Sequence, residues 1–582
     1  VAAVTISMFV SFTLDPMLSS IWHDPAIHAH GNHTAPVTLY DRTLGRVTRW
    51  FEAATDRMAE LYQKILAWSL VHKRKTVLLA VAVFALSIFM VRFVGTEFVP
   101  KSDFSETTVN FQTPVGSSLE ATEAKVRQVE AIVRELPEVR YTVTTLNTGN
   151  ALGKHNASMY VRLVDRQDRK RSVDQMSSVL RERLQRVPGI VVIHVGTLDP
   201  VGGNKQIEFS LLGPDQHELE RLTLSVMDKL RAIPGLVDLD TSVRADKPTI
   251  AVRVRHESAA DLGLGTAQLG EPLRVLVAGE TVGNWRAPDD QTYDVNVRLA
   301  PEARDNPQDL ERLPFAVTAT DGTPRTVRLG QVAQVVESTG SNQINRRDLT
   351  REVALNANTS GRAMGEISAD IRKVMSDLQL PPGYSYQFGG STKNMAESFG
   401  YALSALAMAV IFIYMILASQ FKSFLQPLAL MTSLPLTLIG VVLALMLFHS
   451  TLSLFSIIGV IMLMGLVTKN AILLVDFAIR AREDGMERSQ ALLMAARVRL
   501  RPILMTTLAM VFGMVPLAFA LTEGSEQRAP MGQAVIGGVI TSSLLTLVVV
   551  PVVYCYMDDL AGWLRRKAGL PAGRQGHASP GQ

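Results

Sequence analysis

The sequence predicts an α-helical membrane bundle carrying a large α+β extramembrane region, and three observations point there. The 582-residue chain is 25% charged over residues 96–397 but only 9% over 398–557, and a water-soluble fold needs more polar surface than the second figure supplies. Crossing a bilayer takes about 20 apolar residues, and uncharged runs of that length occupy 398–421, 423–468, 502–522 and 529–557. Within 96–397, a helical pattern ending at a proline and followed by a strand pattern recurs four times, at Pro137, Pro188, Pro234 and Pro382.

From the start of the chain, residues 1–20 read as the end of a membrane helix. The apolar run VAAVTISMFVSFTL has neither a basic stretch before it nor a small-residue cleavage site, so it is not a signal peptide, and its beginning is expected to lie upstream of Val1. Residues 21–75 form a cytoplasmic region in which 40–70 mix apolar and charged positions at helical spacing, the pattern of an amphipathic helix lying on the cytoplasmic membrane surface. Residues 76–95 form the next span. The run 423–468 is long enough for two passes, so 398–557 holds five spans, giving six in all besides the truncated one. Lys73, Arg74 and Lys75, the loop Arg480 to Arg501, and Arg565, Arg566 and Lys567 are rich in positive charge. Such loops stay cytoplasmic, which sends 96–397 out on the opposite face. Residues 558–582 form a cytoplasmic tail, Gly/Pro-rich and polar toward its end.

Within 96–397, proline and glycine just past a helix stop it, and alternating apolar residues then make a half-buried strand. Strand patterns also precede the helices, as in TTVNFQTP (107–114), ASMYVRLV (157–164) and QIEFSLLG (206–213). The repeat predicts two split β-α-β, ferredoxin-like subdomains. One covers 96–200 and the other 201–260 with 346–397, interrupted by a strand-rich insertion at 261–345.

Composition also excludes functions. The net charge is +4, but the basic residues are spread along the chain and cluster beside apolar spans rather than forming a nucleic-acid-binding patch. One cysteine, Cys555, permits no intrachain disulfide. The sequence contains no phosphate loop, metal-ligand cluster or nucleophile elbow, so neither an enzyme nor an ATP-driven transporter is indicated. No cofactor and no bound metal are expected.

The runs ASQFKSFLQPLALMTSLPLTLIGVVLAL (418–445), GLVTKNAILLVDFA (465–478) and RVRLRPILMTTLAMVFGMVPLA (497–518) resemble the resistance-nodulation-division efflux permeases, and the resemblance covers nearly the whole chain. It implies the C-terminal half of a proton-driven antiporter of about twelve helices in a bacterial inner membrane. The extramembrane region would then be periplasmic, with two porter subdomains and a docking subdomain at 261–345. The family works as a homotrimer with a periplasmic adaptor and an outer-membrane channel. Thr468 to Asn470 argue for the branch that exports hydrophobic and amphiphilic compounds. A metal or lipid exporter of the same family, or a non-transporting membrane scaffold, are the alternatives.

Lys469 breaks a 46-residue uncharged run. A lysine at that depth either snorkels, ties two helices by an ion pair, or faces a water-filled path. By the resemblance, this lysine pairs with two membrane aspartates and senses their protonation. Arg499 and Thr506 lie seven residues apart, on one helix face. The resemblance places both in the proton relay, while Arg497, Arg499 and Arg501 also read as a positive-inside anchor. Asn470 is suited to hydrogen bonding between helices, and Asp476 to capping or surface pairing. No acidic pair lies within any span, so the resemblance implies that a missing N-terminal half supplies the aspartates. The loop 146–158, which carries phenylalanines of the substrate pathway in multidrug members, has Leu152, Lys154 and His155 here and no aromatic residue. A lone loop histidine is expected to face solvent rather than bind metal.

Overall fold

The computed structural model describes residues 2–21, 44–148, 153–197, 205–243, 247–304, 306–318, 323–340 and 343–567. Leu152 and the tail after residue 567 lie outside the described residues.

Helices α1 (Ala2–Ile21), α2 (Leu44–Val71) and α3 (Lys73–Val91) come first. A sheet domain follows, in the order β1 (Glu106–Gln112), α4 (Leu119–Arg134), β2 (Val139–Leu146), β3 (Asn156–Leu163), α5 (Val173–Leu184) and β4 (Val191–Gly196). Its antiparallel sheet runs β2-β3-β1-β4. Alternation in the sequence becomes alternation in space: Val109 and Phe111 on β1 are buried and their neighbours are half-exposed. The buried side meets Val126, Val129 and Val133 of α4 and Met176 and Leu180 of α5 in one core. Both helices begin at a serine whose hydroxyl accepts a backbone N–H in the first turn, Ser118 from Ala121 and Ser172 from Gln175. Such caps satisfy donors that a helix start leaves open.

The same topology then recurs. β5 (Ile207–Gly213), α6 (Gln216–Leu230) and β6 (Leu236–Thr241) form its first half. The insertion follows, with β7 (Lys247–Val254), α7 (Thr266–Ala278), the ribbon β8 (Glu280–Arg286) and β9 (Thr292–Val297), the hairpin β10 (Pro314–Thr318) and β11 (Pro324–Arg328), and β12 (Ala333–Gly340), which pairs with β7. The second half is β13 (Asn345–Arg347), β14 (Thr350–Thr359), α8 (Met364–Asp377) and β15 (Ser385–Gly389). β14 pairs with β5 and β6, and β5 with β15, so β6, β14, β5 and β15 match β2, β3, β1 and β4 in order, and the short β13 is an addition on β14. Phe209 and Leu355 face each other across β5 and β14 and share a core with Ile367 and Ile371 of α8. Gly235 ends the α6 turn at φ +84°, and a Cβ there would stand 3.0 Å from the Ser360 carbonyl oxygen. Only glycine meets both conditions without strain.

The remaining helices are α9 (Gly390–Phe421), α10 (Gln426–Leu447), α11 (Leu454–Glu483), α12 (Arg488–Ala518) and α13 (Ala529–Lys567). With α3, these make six described helices long and apolar enough to cross a membrane. The 46-residue uncharged run divides between α10 and α11. Its end at Lys469 is not a helix end: α11 continues to Glu483 because backbone hydrogen bonding ignores charge, and Lys469 falls at the middle of 30 residues. α10 and α13 approach through glycines, since a Cβ on Gly440 would lie 2.3 Å from the Gly537 carbonyl oxygen. Val441, Leu445, Leu463, Val535 and Val539 pack around that approach.

By its internal contacts the chain forms two compact units, one of residues 1–78, 470–506 and 547–582 and the other of 79–469 and 507–546.

Candidate functional site

The span residues singled out in the sequence, Lys469, Asn470, Asp476, Arg499 and Thr506, lie on α11 and α12. In the first unit, residues 470–483 of α11 and 488–506 of α12 are antiparallel neighbours joined by a short turn. The Arg499 guanidinium lies 5.1 Å from the centre of the Phe477 ring, a cation–π contact. Its Nε is buried with no hydrogen-bond partner among the described residues. Asn470 stands seven residues from Phe477 on one helix and Thr506 seven from Arg499 on the other. Both steps climb about 10 Å in the same direction, which brings Asn470 and Thr506 to one level. Asn470 is buried. The Thr506 hydroxyl donates to the Ile503 carbonyl within its own helix (3.0 Å). Asp476 pairs with Arg480 one turn away at 3.0 Å, a surface ion pair of the kind its position suggests.

Lys469, next to Asn470, is exposed. It lies about 16 Å along α11 from Arg480. Lys154 is exposed and His155 half-exposed at the start of β3, where the His155 carbonyl accepts from the Thr113 backbone (2.9 Å).

A second polar constellation, absent from the reading of the sequence, joins the two sheet domains. Arg181 on α5 donates to both Asp238 carboxylate oxygens from Nε (2.6 Å) and Nη2 (2.9 Å). Val195 N–H (3.2 Å) and Asn358 Nδ2 (2.8 Å) donate to the same carboxylate. Burial alone would raise the Asp238 carboxyl, but the Arg181 bonds and charge hold it below its ordinary range. His194, 2% exposed, accepts from Asn358 Nδ2 at Nδ1 (2.8 Å) and donates from Nε2 to the Gly196 carbonyl (3.1 Å). Burial depresses its pKa to about 4, so it is neutral. Arg181, His194, Val195 and Asn358 border a cavity of about 510 Å³ whose cations are largely matched by acids, Lys101 by Asp174 and Arg166 by Glu526. Near α3, Glu97 accepts from the Thr451 hydroxyl (3.1 Å) and burial raises its pKa. Among the described residues, no group of three or more His, Cys, Asp or Glu is placed to hold a metal ion.

Six helices of membrane-crossing length among the described residues and a duplicated β-α-β domain mark the class of a polytopic membrane protein. The sequence profile of the AcrB/AcrD/AcrF family matches residues 1–558, and the chain belongs to this family of resistance-nodulation-division efflux permeases. It is 29% identical over 576 residues to "Multidrug resistance protein MdtC" of Edwardsiella ictaluri, an overlap covering 98% of this chain and 54% of that protein. It is 27% identical over 573 residues to "Swarming motility protein SwrC" of Bacillus subtilis, covering 98% and 52%. The crystal structure of a heavy metal efflux pump is similar in fold, with a TM-score of 0.77 at 24% identity over 87% of this chain and 52% of that one. A second crystal form gives 0.75 at 25% identity over 86% and 52%. The chain thus spans about half the length of the curated relatives it matches.

Proposed function

We propose that the chain acts as the C-terminal half of a proton-driven efflux permease of a bacterial inner membrane, exporting hydrophobic or amphiphilic compounds. In this reading 96–397 is periplasmic, its two sheet domains are porter subdomains and the insertion docks an outer-membrane channel. A homotrimer and a periplasmic adaptor complete the pump. The relatives named for multidrug resistance and the overlap with about half of their length support it. The observation that carries it is Lys469: an ammonium in mid-span is expensive unless it faces an acid or water. The proposed partners are aspartates of the N-terminal half. Arg499, with a buried unpartnered Nε, Asn470 and Thr506 extend the relay along α11 and α12. Leu152, Lys154 and His155 belong to the substrate path.

Replacing Lys469 by alanine in the complete protein is expected to reduce proton-dependent dye extrusion to background while leaving membrane insertion intact. Full extrusion by Lys469→Ala would sink the assignment. A second reading, export of a metal ion, rests on the likeness to the heavy metal pump. Resistance of cells to metal salts but not to dyes and detergents would favour it.

A further inference from the structure

Among the described side chains of helix α2, one face is buried and the apolar stripe beside it is bare. Ala59, Tyr62, Leu66 and Ser69 are covered, and this side is fastened to α12 and α13: Tyr62 donates to the Leu547 carbonyl (2.8 Å), Gln63 to that of Leu493 (3.3 Å), and Arg501 to Asp56 (2.8 Å). Beside this face lies a bare stripe, Met58, Leu61, Ile65 and Trp68, exposed by 46, 60, 43 and 52%. Spacings of three and four residues place all four on one side of the helix. Trp68 stacks on His72 with ring centres 4.9 Å apart, and α3, itself a span, starts at the next residue, Lys73.

Charges are sorted about this stripe. At about 100° per residue, Arg57 and Lys64 fall seven residues apart along its far edge, both exposed. Asp56 and Glu60 point farther round, away from the apolar side, and Asp56 is engaged by Arg501. Arg74 and Lys75 lie exposed just past the Trp68 end. Cations rimming an apolar face, with acids turned away, are the arrangement in which long basic side chains reach phosphate while their stems and the neighbouring apolar groups enter the acyl boundary. Trp68 takes the position of an interfacial aromatic. We propose that α2 is a binding surface for anionic phospholipid. Met58, Leu61, Ile65 and Trp68 sit at the acyl boundary, and Arg57, Lys64, Arg74 and Lys75 hold the headgroup phosphates. Because the span starting at Lys73 fixes the end of α2 at the bilayer edge, the occupant is the membrane's own lipid rather than a protein.

The test uses the full chain with Trp68 as its sole tryptophan, in nanodiscs that mix phosphatidylcholine and phosphatidylglycerol with one or the other lipid brominated on its acyl chain. Trp68 emission is expected to be quenched by both, and more by brominated phosphatidylglycerol. Arg57→Gln with Lys64→Gln should lower that preference about fivefold per charge while quenching persists, showing that the helix still lies in the membrane. The charge-conserving exchange Arg57→Lys with Lys64→Arg should retain the preference. Equal quenching by the two lipids in the unmodified rim, or no quenching by either, would overturn the proposal.

Discussion

His194 and Asp238 show how a residue's chemistry depends on what surrounds it. Four N–H groups converge on Asp238, and His194 shares the Asn358 amide with it. In the folded protein His194 stays neutral down to about pH 4, against an ordinary value of 6.5. Between those values only the unfolded chain takes up the proton, so stability is fully present above about pH 6.5 and declines as pH falls toward 4. The loss is on the order of 3 kcal/mol. Protonation would also turn Nδ1 into a donor facing the Asn358 amide. Thermal unfolding of the extramembrane region between pH 4 and 7 should show this slope, and His194→Gln should flatten it; an unchanged slope would assign the effect to other groups. None of this was legible in the sequence, because His194 and Asn358 are 164 residues apart and nothing local marks either. Lys469 stood out for the opposite reason: its signal is a charge against an apolar background, which needs no knowledge of packing.

Among the elements, legibility followed burial. TTVNFQTP reads as a strand because one face of β1 is covered, whereas β8 and β9 expose Val282, Trp285, Tyr293 and Val295, so the alternation in TYDVNV marks no buried face. At α11 and α12 the uncharged runs stop short of the helices, which continue through charged ends. The contact of α10 with α13 left no signature either, since a glycine in an apolar helix looks like any small residue until a second backbone is known to lie against it. At Gly440 the cost of a side chain is plain: Gly440→Val must push α10 away from the Gly537 carbonyl. A loss of about 1–3 kcal/mol is expected, seen as a lower thermal midpoint in detergent. An unaltered midpoint would mean that the two helices part without penalty.

At the scale of the whole molecule, one topology is drawn twice with unequal chain between matching strands. β2 and β3 are separated by residues 147–155, whereas their counterparts β6 and β14 are separated by 242–349. Closing the longer loop costs about 2 kcal/mol more in chain entropy, so the two domains should not form at the same pace. The β7–β12 pairing draws the ends of the intervening chain together, making the insertion a splint whose prior formation shortens the search for β6 and β14. Pulse-labelled hydrogen exchange during refolding should protect the β1 to β4 amides first, those of β7 and β12 next, and the β6–β14 ladder last. A β6–β14 ladder protected as early as β2–β3 would contradict that order. The interruption that gives the second domain its extra module thus also makes it the kinetic bottleneck of assembly, and the stretch most exposed to misfolding before the chain is complete.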